Sequence, residues 1–148
     1  MKIREAVITD LEACATLANV VSVDGVGSEE SGFLLLTGRK QIESLFKDGR
    51  VLVAENSSSI IGFISGYGRE SALFDEIESL RRGVSWDSFD PFIEQNLVYV
   101  HGIVVHPDHR NSAAALKLWI QFMNLFPQCS FLATAVEAPI VNRRSPRV

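Results

Sequence analysis

Cysteine is scarce in this chain, with Cys14 and Cys129 the two among 148 residues. They lie far apart in apolar segments, so free core thiols are expected rather than a disulfide, which suits a reducing cytoplasm. Long apolar runs are missing too: none approaches the ~20 residues that a membrane span needs. Arg4, Glu5, Asp10 and Glu12 interrupt the start, where a signal peptide needs an apolar stretch, so the protein reads as unexported, with no membrane partner. Positive charge is also short, at 14 Lys and Arg against 18 Asp and Glu, a formal net charge of −4. Nucleic-acid binders carry a basic footprint, and the only basic cluster here is Arg143, Arg144 and Arg147. General nucleic-acid affinity is therefore not expected. Internal repeats and linkers are absent. What remains, 47% hydrophobic and 22% charged residues, rules out a disordered tail and predicts a single domain over residues 1–148.

The pattern along the chain predicts alternating strands and helices. Lys2–Val7 reads as a strand, and Thr9-Asp10-Leu11-Glu12 as a capping box opening a helix with Leu11, Cys14, Leu17 and Val21 inward. The glycines and serines from Ser22 to Gly38 read as loop. A second helix over Arg39–Lys47 turns Ile42, Leu45 and Phe46 inward and stops at Gly49. Val51–Asn56 and Ile60–Ile64 flank Ser57, Ser58 and Ser59 and predict an antiparallel hairpin. In Tyr67–Gln95, Leu73, Ile77 and Leu80 have helical spacing up to Gly83, and Trp86 to Phe92 reads as an aromatic-rich loop. Leu97–Val105 is a β-branched strand. A helix over Ser112–Phe126 puts Ala115, Trp119, Phe122 and Phe126 on its inward stripe, with Leu116, Ile120 and Met123 beside it, buried on most sides. Ser130–Val136 adds a last strand. Hairpins plus one strand–helix–strand crossover imply an α/β domain with a mixed, mostly antiparallel sheet flanked by helices.

Chemistry concentrates at one junction. A strand ends at His106-Pro107-Asp108, and the chain then enters a helix through Asn111, Ser112, Ala113, Ala114 and Ala115. Helix N-termini present unpaired N–H groups and partial positive charge, which suits a phosphate. The alanines keep side chains short there, and Arg110 adds a fixed cation. The same residues also fit an ordinary strand-to-helix connection with a capping serine, and the spacing does not choose between the two.

Ile103–Leu116 resembles the acetyl-CoA-binding motif of the GNAT superfamily of N-acetyltransferases. Val105 and Pro107 match the strand end, Arg110 the basic or glutamine position, and Ala115 the last small residue. Lys2–Val21 is similar to the family's opening strand and helix, Val51–Ile64 to its central hairpin, and Phe131–Val136 to its next strand. The resemblance implies a GNAT-like acyl-CoA N-acyltransferase fold with acetyl-CoA as acyl donor, lying where Leu97–Val105 splays from Phe131–Val136. Backbone groups of Ile103, Val104 and Val105 would hold the pantetheine arm. The amides of Asn111, Ser112, Ala113, Ala114 and Ala115, with Arg110, would hold the pyrophosphate. His101 stands where many members carry a glutamate and would act as base. Trp86, Phe89 and Phe92 would line the acceptor pocket, or else anchor a long loop to the body. The acceptor would be a primary amine of a small molecule or protein, attacking directly.

Three departures accompany the match. Ala113 replaces the usual glycine. The link over residues 67–96 is a longer insertion between the third and fourth strands. The family's C-terminal helix and strand pair, with its tyrosine acid, are expected to be missing after Asn142. A second reading therefore stands beside the enzyme: a catalytically impaired GNAT-like module that binds CoA or a protein partner. A third, an interaction protein without CoA affinity, requires the motif match to be accidental. His106 and His109 lack a closed ligand set with His101, so no metal is expected, and Cys129 has no paired base for covalent catalysis. The edge left by Phe131–Val136 is expected to be covered by a second subunit in a homodimer or by Ala138–Val148.

Overall fold

Short β-branched runs fill the middle of the chain, and in the computed structural model they pair into one sheet. The structure describes residues 1–22, 38–73, 96–110 and 112–133. Their order is β1 (Lys2–Glu5), a 3-10 turn (Ile8–Asp10), α1 (Leu11–Val20), α2 (Arg39–Asp48), β2 (Arg50–Asn56), β3 (Ser59–Gly68), β4 (Leu97–Val105), a second 3-10 turn (Pro107–His109), α3 (Ala114–Leu125) and β5 (Ser130–Ala133). The strands lie side by side in chain order. β1 to β4 are antiparallel, and β5 is parallel to β4. This is the mixed, mostly antiparallel sheet that the pattern predicts, because a crossover through α3 returns the chain in the same direction. Several expectations lie outside the described residues. These are the loop beyond Ser22, Ile77, Leu80 and Gly83, the acceptor-pocket candidates Trp86, Phe89 and Phe92, Asn111, and everything from residue 134 onward, including the missing C-terminal elements and the edge cover.

Helices bury both sheet faces. On one, Leu11, Cys14 and Leu17 of α1 and Ile42 and Leu45 of α2 pack over Val53, Phe63, Tyr67 and Tyr99. On the other, Ala114, Leu118 and Phe122 of α3 pack over Leu52, Ile64, Val98 and Val100. Double burial is why β2, β3 and β4 read as continuous apolar runs rather than alternating ones. Glycines on β3 let α3 sit close: a Cβ on Gly62 would lie 2.7 Å from the Val104 carbonyl oxygen and 3.4 Å from Leu118. One on Gly66 would lie 2.4 Å from the Tyr99 oxygen and 2.8 Å from the Phe122 ring.

Two irregularities change which face a residue joins. Ala54 pairs with Gly62 but Glu55 with Ile60, leaving Ile61 as an extra residue on β3. Ser65 pairs with Gly102 but Gly66 with Val100, leaving His101 as an extra residue on β4. Each bulge flips strand parity. Tyr99 and Val104 consequently share the α1–α2 face despite their odd separation.

The structure corrects several boundaries. The cap before α1 is not Thr9 with Glu12. The Asp10 carboxylate accepts the Val7 N–H at 2.8 Å and is gripped by Arg4 at 2.6 and 3.0 Å. A bidentate guanidinium contact outcompetes a threonine hydroxyl, so a 3-10 turn precedes the helix. Glu12 instead meets Arg39 of α2 at 2.6 Å. Ser59 belongs to β3, and the hairpin turn is Ser57-Ser58 alone, both at positive φ (48° and 67°), as the twist of a two-residue hairpin demands. Tyr67 and Gly68 finish β3 instead of opening the insertion. The buried line of α3 is Ala114, Leu118 and Phe122: Phe122 is where the pattern puts it, Ala114 and Leu118 replace Ala115 and Trp119, and Trp119 and Phe126 pack half-buried beside them. Leu116 at 61% and Ile120 at 44% exposure face outward, so this helix is not buried on most sides.

Candidate active site

The site is assembled on β4. Among the described residues, its pairing with β5 runs from Leu97↔Ser130 to Val100↔Ala133, and β4 spans Leu97–Val105. His101 lies on this strand, half-buried and at the bulge. Bulges re-aim side chains and are over-represented beside active sites. Beyond it, Ile103 is exposed, Val104 is buried on the α1–α2 face and Val105 is half-buried.

The exit from β4 is pinned at once. His106 donates its N–H to the Ile61 carbonyl at 2.8 Å, so the bulged residue of β3 holds the start of the next turn. The His106 ring accepts the Asp108 N–H at Nδ1, 3.2 Å away, which places the ring hydrogen on Nε2 in the neutral imidazole. The His106 and His109 rings lie edge to face with centroids 5.9 Å apart. Among the described residues, no group of three or more His, Cys, Asp or Glu gathers to hold a metal.

Ser112 does not cap the helix. Its N–H and hydroxyl both donate to the His109 carbonyl, at 3.0 and 2.5 Å. Ala113 then takes a left-handed conformation, φ 60° and ψ 16°, and occupies the cap position without a side-chain bond. Lys117 donates its backbone N–H to the Ala113 carbonyl at 3.1 Å. The amides of Ala114, Ala115 and Leu116 thus precede the internal ladder of α3, with the helix dipole behind them. Ala113 and Ala115 are exposed, Ala114 is buried under the helix, and Arg110 is half-buried at the end of the 3-10 turn. The left-handed residue explains why glycine is usual there: the backbone path requires positive φ, and this chain follows it with alanine at a steric cost.

Packing fixes α3 against the strands. Gly62 and Gly66 seat Leu118 and Phe122 on β3, while Phe131 of β5 contacts Trp119 and Phe126, with centroids 6.0 and 6.5 Å apart. Residue-type reasoning missed Gly62, Gly66 and Ser65. Their role follows from pairing register, which no local pattern encodes. Elsewhere, burial pushes the Cys14 thiol up to about 12, so it is not a nucleophile near neutral pH.

An antiparallel four-stranded sheet, extended by a parallel fifth strand reached through a strand–turn–helix crossover, is the architecture of an acyl-CoA N-acyltransferase fold. Residues 23–145 match the sequence profile of the Acetyltransferase (GNAT) family, and the chain belongs to that family. The structure of aminoglycoside N-acetyltransferase AAC(6')-Iy in complex with CoA is similar at 18% identity and TM-score 0.61, covering 99% of this chain and 85% of that one. A ribosomal-protein-alanine N-acetyltransferase from Brucella melitensis biovar Abortus is similar at 15% identity and TM-score 0.58, covering 94% and 83%. The smu.2055 protein of Streptococcus mutans is similar at 21% identity and TM-score 0.55, covering 84% of this chain and 65% of that one. Comparison with curated protein sequences returns no match. Among the described residues, no helix is long and apolar enough to cross a membrane.

Proposed function

We propose that this chain is an N-acetyltransferase that moves an acetyl group from acetyl-CoA to a primary amine of a small molecule or protein. The observation that carries the reading is the helix entrance after the bulged strand β4: Ala113 turns through a left-handed conformation and the amides of Ala114, Ala115 and Leu116 precede the internal ladder of α3. The residues fit a CoA-type donor: the left-handed Ala113 keeps the glycine-type path, and short alanine side chains line the helix entrance at 113, 114 and 115. A relative of the same fold has been solved with CoA. Relatives named for aminoglycoside and ribosomal-protein acetylation support an amine as acceptor class.

When bound, acetyl-CoA supplies an activated thioester. Backbone groups of Ile103, Val104 and Val105 bind its pantetheine arm along β4. Arg110 and the amides from Asn111 through Ala115 bind its pyrophosphate, where helix dipole and guanidinium act together. His101 takes a proton from the amine nitrogen as that nitrogen bonds to the acyl carbon; the thioester C–S bond breaks, and that proton goes to the departing sulfur so that CoA leaves as its thiol. Trp86, Phe89 and Phe92 of the long link line the acceptor side. The chain is one domain, and an amine acceptor is its partner, without nucleic acid or membrane.

Calorimetric titration of acetyl-CoA, followed by thiol release with a panel of amines, tests the reading. Binding with turnover is expected. No binding at millimolar donor sinks it, and binding without turnover on any amine favours the non-catalytic module. His101→Gln is expected to lower kcat about 10²-fold or more and to remove the acidic limb of the pH–rate profile. An unaltered profile would take His101 out of the base role.

A further inference from the structure

Among the described residues, Ser65 carries the one side-chain polar atom that is buried and has no hydrogen-bond partner. It is 1% exposed and lies on β3 in direct register with Gly102 of β4. Strand alternation puts Ser65 on the α1–α2 face between Phe63 and Tyr67, while the Cβ directions of its neighbour Gly66 and of Gly62 point to α3. On β4 the residues of the same face are Leu97, Tyr99 and Val104, with the rings of Tyr67 and Tyr99 tilted against each other, centroids 5.3 Å apart. Between Tyr99 and Val104 the face position belongs to Gly102, which has no side chain. The orphan hydroxyl therefore borders the one β4 position on this face without bulk, one residue from His101.

A buried hydroxyl without a partner destabilises the folded chain, whereas an alanine at the same place would not. Such a violation of packing rules is expected at functional positions. It also coincides with the β3–β4 bulge, where the ladder is interrupted. We propose that Ser65 positions the acceptor: with the amine seated over Gly102, the Ser65 oxygen accepts an N–H from it and aims its lone pair at the acyl carbon. This inference rests on the acetyltransferase reading. The hydroxyl is closed off from the surface in the free chain, so the bond requires a local opening between β3 and β4 as the acceptor enters.

Ser65→Ala is the test, with an aminoglycoside, a polyamine and a peptide with a free N-terminal alanine as acceptor probes. The variant is expected to unfold at the same or higher denaturant concentration and to bind CoA with unchanged affinity by calorimetry. Its KM for the amine that wild type uses best is expected to rise fivefold or more, with the pH–rate profile unmoved. A KM within twofold of wild type, in a wild type that binds CoA and turns over amine, overturns the inference alone. A destabilised Ser65→Ala overturns it as well, since the hydroxyl is then paired in the folded chain. A wild type that binds no CoA, or acetylates none of the probes, overturns it together with the acetyltransferase reading.

Discussion

Ala113 and Asp10 show what single residues contribute. A left-handed conformation costs an L-residue about 1–2 kcal/mol, and glycine escapes it while gaining back some unfolded-state entropy. Ala113→Gly is therefore expected to raise unfolding free energy by roughly 0.5–1 kcal/mol in denaturant titration; a lower value would mean that the helix entrance does not hold φ near 60°. Asp10 is buried, and the Arg4 guanidinium, followed by the Val7 N–H, holds its carboxyl below the usual carboxylate range against the opposing effect of burial. A depressed folded pKa gives stability that is present above the unfolded value, about 3.9, and is lost as pH falls through the folded value. Asp10→Asn keeps an acceptor for Val7 but removes the charge from Arg4. It is expected to lower stability at pH 7 by about 1.5–3 kcal/mol. The difference from wild type should narrow as pH falls below about 4. A constant difference from pH 7 to 2 would show that the ion pair is not the source.

At the scale of elements, close docking of α3 on β3 is the most exacting feature. Gly66→Ala would place a methyl 2.4 Å from the Tyr99 oxygen and 2.8 Å from the Phe122 ring, and backbone cannot move aside cheaply. A loss of about 1–3 kcal/mol or more is expected in thermal or denaturant unfolding. Gly38→Ala, with nothing within 4 Å of the new atom, is the control and should change little. A Gly66→Ala variant as stable as that control would refute the docking. The same elements mark what periodicity can reveal. β4 is found over Leu97–Val105 as expected, because nine consecutive residues of strand character outvote local noise. Arg110 and the alanines land on the turn and helix start, since proline after a strand and small residues at a helix entrance leave a local trace. The cap before α1 was displaced because its strongest partner, Arg4, comes from another element. On α3 the pattern finds Phe122 but prefers Ala115 and Trp119 to Ala114 and Leu118, because apolar residues surround that helix and pattern alone cannot pick the buried line. His101 at a bulge and Ser65 opposite Gly102 are facts of register, set by pairing between strands distant in sequence.

For the molecule as a whole, charge sets a condition on the proposed donor. CoA is a polyanion and the chain carries a formal −4, so the long-range field opposes association and attraction must be local. Among the described residues of the loop, Arg110 supplies the guanidinium, while Asp108 beside it carries the opposite sign. A phosphate contact at this point is charge-assisted and directional, and backbone amides alone give weaker, neutral contacts. Arg110→Ala is therefore expected to weaken CoA binding by about 1–3 kcal/mol, roughly tenfold to a hundredfold in Kd. The dependence of Kd on ionic strength should become shallower in the variant, because screening acts on the interaction that has been removed. Arg39→Ala serves as comparison: it deletes a cation of the same chemistry whose exposed partner is Glu12 at 2.6 Å, and changes net charge equally. If both variants weaken CoA binding alike, the effect is one of overall charge and Arg110 has no phosphate contact. If only Arg110→Ala does, the attraction is held at the entrance of α3, and a net-acidic chain binds a polyanion through one local cation and the amides behind it.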